Sequence, residues 1–80
     1  MHYKKTITEI YPGIALWCNE NHITSAKQLQ IFLAENGLNI SYHMLLTRLS
    51  GQTEFTRSEI DAFIKLTGRP FEILFKQLGE

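Results

Sequence analysis

The stretch Gly37-Leu38-Asn39-Ile40 constrains the fold of this chain most, because it is all that separates a helix stop from a helix start. Upstream, Ser25-Ala26-Lys27-Gln28 matches a capping box, in which the serine oxygen accepts the N3 amide and Gln28 reaches back to the cap. Ala26, Leu29 and Leu33, joined by Phe32, then recur on one helical face. Asn36-Gly37 ends that helix, with glycine suited to the left-handed conformation after the last turn and Leu38 placed for the apolar contact that accompanies such a stop. Downstream, Ser41 opens a third helix that runs to about Ser50, with Leu45 and Leu49 inward and Gly51 as its stop.

A short glycine-containing connection of this kind joins the two helices of a helix-turn-helix at a steep angle, and that arrangement is expected at the centre of the chain. The remaining helices follow from the same signals. The first opens either at Thr8, with Pro12 just inside it, or at Pro12, and carries Ile10, Ile14 and Trp17 as its apolar stripe. Thr56-Arg57-Ser58-Glu59 is a second capping box, and the helix behind it presents Ile60, Phe63, Ile64 and Thr67 on one face before Gly68. After Arg69-Pro70, a fifth helix is expected with Phe71, Leu74, Phe75 and Leu78 as its stripe. No stretch alternates with period two. The expectation is a compact all-α domain of five helices spanning residues 8–80, preceded by an amino-terminal arm over 1–7.

Composition narrows the function classes. Eighty residues suffice for one domain with a small core. A single cysteine, Cys18, makes no internal disulfide and points to a reducing compartment, the cytoplasm. No segment reaches the roughly 20 apolar residues of a membrane span, and the start of the chain lacks the apolar run of a secretion signal. Eight basic against eight acidic residues give a net charge of zero, so any nucleic-acid binding rests on a local patch rather than on a basic excess.

At about 100° per residue, the outward side of the third helix carries His43, Thr47 and Ser50, with Tyr42 and Leu46 on one flank and Met44 and Arg48 on the other. Short hydroxyls, an imidazole and apolar groups on such a face suit base edges and thymine methyls in a major groove. The first turn, with Tyr42 and His43, is expected nearest the bases. Without the helix-turn-helix context the same residues read as the solvated side of a surface helix. Phosphate contacts are expected from Lys27 and Gln28 in the first turn of the second helix, from Arg48, and from Gln52, Thr53 and Arg57 around the start of the fourth. Lys4 and Lys5 either join them or merely solubilise the arm.

Residues 40 to 75 carry a resemblance. Ile40-Ser41, Leu45, the run Leu49-Ser50-Gly51-Gln52-Thr53-Glu54-Phe55-Thr56-Arg57-Ser58-Glu59-Ile60, then Leu66 and Glu72-Ile73-Leu74-Phe75 resemble phage-repressor/Cro-type (XRE-like, lambda-repressor-like) helix-turn-helix proteins. The resemblance implies a five-helix DNA-binding domain, usually dimeric, acting as a transcriptional regulator and often encoded by phages or mobile elements. It also implies that Ser41, Tyr42, His43, Leu46, Thr47 and Ser50 hold the base- or backbone-contacting positions. The chain departs from that pattern between Ser25 and Asn39, where either the segment is about five residues longer than in the family or Leu33-Ala34 is the family's Leu-Ala pair with one extra residue, in Asn39 where the family has glycine, in Leu46 where a small or polar residue is common, in Ser50 for asparagine, and in Arg69 for a buried Ile or Val.

Other chemistry is set aside. Cys18 and His22 are spaced to share a helix face, but two ligands do not make a zinc site, and His2 and His43 have no ligand-spaced neighbours. No phosphate loop or nucleophile elbow is present, so no cofactor, metal or catalysis is expected. Ile31 and Ile73 fall opposite their helices' stripes and are either isolated exposed residues or partner surface. The fifth helix, through Phe71, Ile73 and Phe75, is the expected contact of a homodimer that would set two recognition helices ~34 Å apart on duplex DNA. The leading expectation is a sequence-specific transcriptional regulator, a repressor type; the alternative is the same fold used to bind another protein, as an antirepressor or inhibitor.

Overall fold

The hydroxyl residues that open the second, third and fourth helices in the sequence are realised as caps. The computed structural model describes residues 7–77 and contains α1 (Pro12–Glu20), α2 (Ala26–Glu35), α3 (Tyr42–Ser50), α4 (Arg57–Thr67) and α5 (Phe71–Leu74), with no strand among those residues. Lys4, Lys5, His2, Leu78 and nearly all of the arm lie outside the described residues. The hydroxyls of Ser25, Ser41 and Thr56 accept from Gln28 N, Met44 N and Glu59 N at 3.1, 3.1 and 3.2 Å. At Thr56 the box closes, because Glu59 Oε1 accepts from Thr56 N at 2.9 Å. At Ser25 it closes one residue early: Gln28 Oε1 accepts from Thr24 N at 2.8 Å rather than from the cap itself.

Of the two openings considered for α1, the structure takes Pro12, with Tyr11 as a cap that uses no side-chain bond. Thr8 has a different role. Its Oγ1 accepts from Tyr11 N at 3.3 Å and donates to Leu49 O at 2.7 Å, satisfying a carbonyl in the last turn of α3.

The stops of α1 and α2 share one geometry. After α2, Gly37 N donates to Ala34 O and Leu38 N to Leu33 O, with Gly37 at φ 95°, which completes a Schellman motif. After α1 the same pair of bonds runs from His22 N to Asn19 O and from Ile23 N to Cys18 O, but the left-handed residue is His22 at φ 59°. His22 therefore lies beyond the helix, and the shared face expected for Cys18 and His22 does not form.

Packing places α2 on α3, α1 on α5 and α4 on α5. Ile14, Leu29, Leu33, Leu45, Leu49, Phe63 and Leu74 are almost fully buried between them. The α1–α5 approach is close enough that a Cβ on Gly13 would sit 1.8 Å from Ile73 O. Tyr11, Phe55, Phe63 and Phe75 pack edge to face, at ring-centroid separations of 5.2 to 6.0 Å, a geometry that adds about 0.5 to 1.5 kcal/mol per pair beyond burial.

That ring cluster corrects the reading of the fifth helix. α5 is a four-residue turn, too short to present a continuous stripe. Phe71 and Phe75 are each expected both in the inward stripe and at a dimer contact; Phe75 takes the first place, in the core, whereas Phe71 stacks on it from outside and is 48% exposed.

Candidate nucleic-acid interface

The outward side of α3 is open. Tyr42, His43, Met44, Leu46 and Ser50 are exposed and Thr47 is half-buried, while Leu45 and Leu49 close the inner side. Ser41, also exposed, holds its oxygen on Met44 N. The start of α2 stands beside the start of α3, because Lys27 Nζ lies 5.6 Å from the centroid of the Tyr42 ring, within cation–π range. The same ammonium reaches Gln30 Oε1 at 3.1 Å, and Gln30 Nε2 in turn donates to Ile40 O at 3.2 Å. A polar chain thus runs from α2 across the connection.

Of the six expected phosphate contacts, Lys27, Gln28, Gln52, Thr53 and Arg57 are exposed. Arg48 is not. Only 9% exposed, it turns beneath the following loop, where Nε pairs with Glu59 Oε1 at 2.9 Å and Nη1 donates to Thr53 Oγ1 at 2.6 Å. The reason is electrostatic: Glu59 is itself buried at the α4 cap, and a buried carboxylate requires a compensating cation. Arg48 is accordingly a strut between α3 and α4 rather than a free surface cation. Nothing local in the sequence marks this pair, whose members stand 11 positions apart.

Thr53 is more than a surface hydroxyl. Its amide donates to Thr47 O at 3.2 Å and its Oγ1 donates to Thr47 Oγ1 at 3.0 Å, while Thr47 Oγ1 donates to Met44 O at 2.8 Å. Ser50 Oγ donates to Thr47 O at 3.2 Å. Residues that spacing alone placed on the face are thereby fixed in orientation by the loop that follows it.

Beside this face, residues 7–10 and Leu46, Leu49 and Ser50 line a shallow depression of about 280 Å³. Elsewhere on the surface Leu16, Ile31 and Ile73 are 53%, 50% and 52% exposed. Ile31 and Ile73 were singled out by helical phase; Leu16 was missed. Cys18 lies in the core at 1% exposure, and burial pushes its thiol pKa up to about 12, which keeps it protonated and unreactive. Arg69 pairs with Glu20 at the partly exposed junction of α1 and the α4–α5 turn, in a setting where ion pairs contribute about 0 to 1 kcal/mol. No described helix is long and apolar enough to cross a membrane.

The chain was compared with models of known protein families, with curated proteins and with solved structures, and none of them matches it.

Proposed function

We propose that the chain is a small, sequence-specific, non-enzymatic DNA-binding regulator of transcription, of the repressor type found in phages and mobile elements. In this reading α2 and α3 form a helix-turn-helix, and α3 enters the major groove of duplex DNA. The observation that carries it is the outer face of α3: opened by the Ser41 cap, held from behind by α2, uncovered from Tyr42 to Ser50, and flanked by Lys27 at the α2 start. Ser41, Tyr42, His43, Leu46, Thr47 and Ser50 would meet the duplex on the base side. Lys27, Gln28, Gln52, Thr53 and Arg57 would flank them on the phosphates. With Arg48 withdrawn, Lys27 and Arg57 are the described cations among them, so the slope of log affinity against log salt is expected to be shallow, about −1.8. Self-association to span two half-sites would use Phe71 and Ile73, without Phe75.

A mobility-shift assay at low salt on mixed genomic fragments tests the proposal. Retardation by the intact chain supports it, and Arg57→Ala should then weaken binding evenly across sequences while His43→Ala with Thr47→Ala relaxes sequence preference. Equal affinity of wild type and that double variant for every sequence would reject readout by those two side chains.

A second reading, the same fold docking another protein as an antirepressor or inhibitor, is favoured by one observation. Tyr42, Met44 and Leu46 expose 42%, 42% and 39% of their surface on α3, in a chain of zero net charge. Absence of any retardation at low salt, with a defined protein co-purifying and released by Met44→Asp, would support it over DNA binding.

A further inference from the structure

The hydrogen-bond chain behind α3 has a fixed polarity, and polarity decides which bases the face can accept. Arg48 ends one side of the chain, and a guanidinium can only donate. Met44 O ends the other, and a carbonyl can only accept. Between them Thr53 Oγ1 receives from Arg48 Nη1 at 2.6 Å and Thr47 Oγ1 lies 3.0 Å further on, 2.8 Å from Met44 O. A hydroxyl owns one proton and two acceptor positions. The Thr47 proton therefore goes to Met44 O, the Thr53 proton goes to Thr47, and Thr47 retains a single acceptor position and no donor. Ser50 is in a similar state, its proton directed to Thr47 O. The outward side of α3 also lacks lysine and arginine, since its one arginine is turned inward on Glu59.

We infer, resting on the DNA-binding reading, that Thr47 is a specificity-determining residue presenting only an acceptor, so that it selects a base with an exocyclic amine in the major groove, adenine N6 or cytosine N4, with Thr53 and Arg48 as the positioning residues that set its polarity. Guanine, whose groove edge offers N7 and O6 acceptors, and thymine, which offers O4 and a methyl group, have no hydrogen to give to this oxygen.

The test uses duplexes recovered from random sequences by the intact chain. Each adenine in turn is replaced by purine, which lacks N6, and each cytosine by pyrimidin-2-one, which lacks N4. At one position of the half-site the replacement should weaken wild-type binding about fivefold to tenfold, the value of one directed hydrogen bond. Thr47→Val should bind the replaced and unreplaced duplexes equally, Thr47→Ser should restore the difference, and Thr53→Val should reduce the ratio between unreplaced and replaced duplexes, on top of the uniform loss of affinity that follows from removing its phosphate contact. Thermal melts of each variant by circular dichroism confirm that the fold is retained. If no amine removal costs affinity, or if Thr47→Val or Thr53→Val preserves the full difference, the inference is overturned while DNA binding stands. If no duplex is recovered at low salt, the DNA-binding reading falls and takes the inference with it.

Discussion

α1 meets α5 at Gly13 and α2 turns toward α3 at Gly37, and the two glycines serve opposite needs. Gly13 sits in a helix with ordinary backbone, but a side chain there would collide with Ile73 O. Gly37 faces open space, yet its φ of 95° is a conformation that L side chains rarely adopt. One glycine is required by a neighbour far away in the chain, the other by its own dihedral angle. His22 sharpens the contrast, because it holds the same left-handed position after α1 that Gly37 holds after α2 without being glycine.

The contrast orders the expected effects of substitution. Gly13→Ala should be the most damaging, on the order of 3 kcal/mol in urea denaturation, because the colliding atom is backbone and α5 must shift away. A midpoint within experimental error of wild type would mean that α5 is not docked as described. Glu59→Ala comes next, at about 2 kcal/mol, since it strands an Arg48 guanidinium that is mostly but not wholly removed from water; Glu59→Ala paired with Arg48→Met should recover much of that loss, and a double variant as unstable as the single one would argue against the strut. Gly37→Ala should cost only about 1 kcal/mol, a purely conformational penalty without collision. His22→Gly should go the other way and raise stability by about 0.5 kcal/mol, the relief of the left-handed histidine being partly offset by a freer unfolded chain. A loss of stability at that position would show that the His22 side chain makes a contribution beyond its backbone.

The same division explains what could be read in advance. Caps at Ser25, Ser41 and Thr56 and stops at Gly37, Gly51 and Gly68 are local events, decided within a turn of the residue that makes them, and each is found where the pattern put it. The inward choice of Leu45 and Leu49 and the open side of α3 follow from helical phase alone. What escaped was decided across the fold. Arg48 is drawn inward by a carboxylate on another helix. Thr8 spans 41 positions to reach Leu49 O. The α1 stop was hidden because its left-handed residue is a histidine, a type that visits this conformation more often than most but does not advertise it. On the candidate face the residue types were legible, whereas the orientation of Thr47 was not, because Thr53 imposes it from a neighbouring loop.

Trp17, the single tryptophan, lies 5.3 Å from the Phe32 ring and is 5% exposed. Indole emission in this molecule is therefore an optical gauge of α1 against α2, with no ring contact to the Tyr11–Phe55–Phe63–Phe75 cluster to confuse it. A red shift on heating that precedes the loss of helical ellipticity would reveal that the helix pair behind α3 loosens before the domain melts.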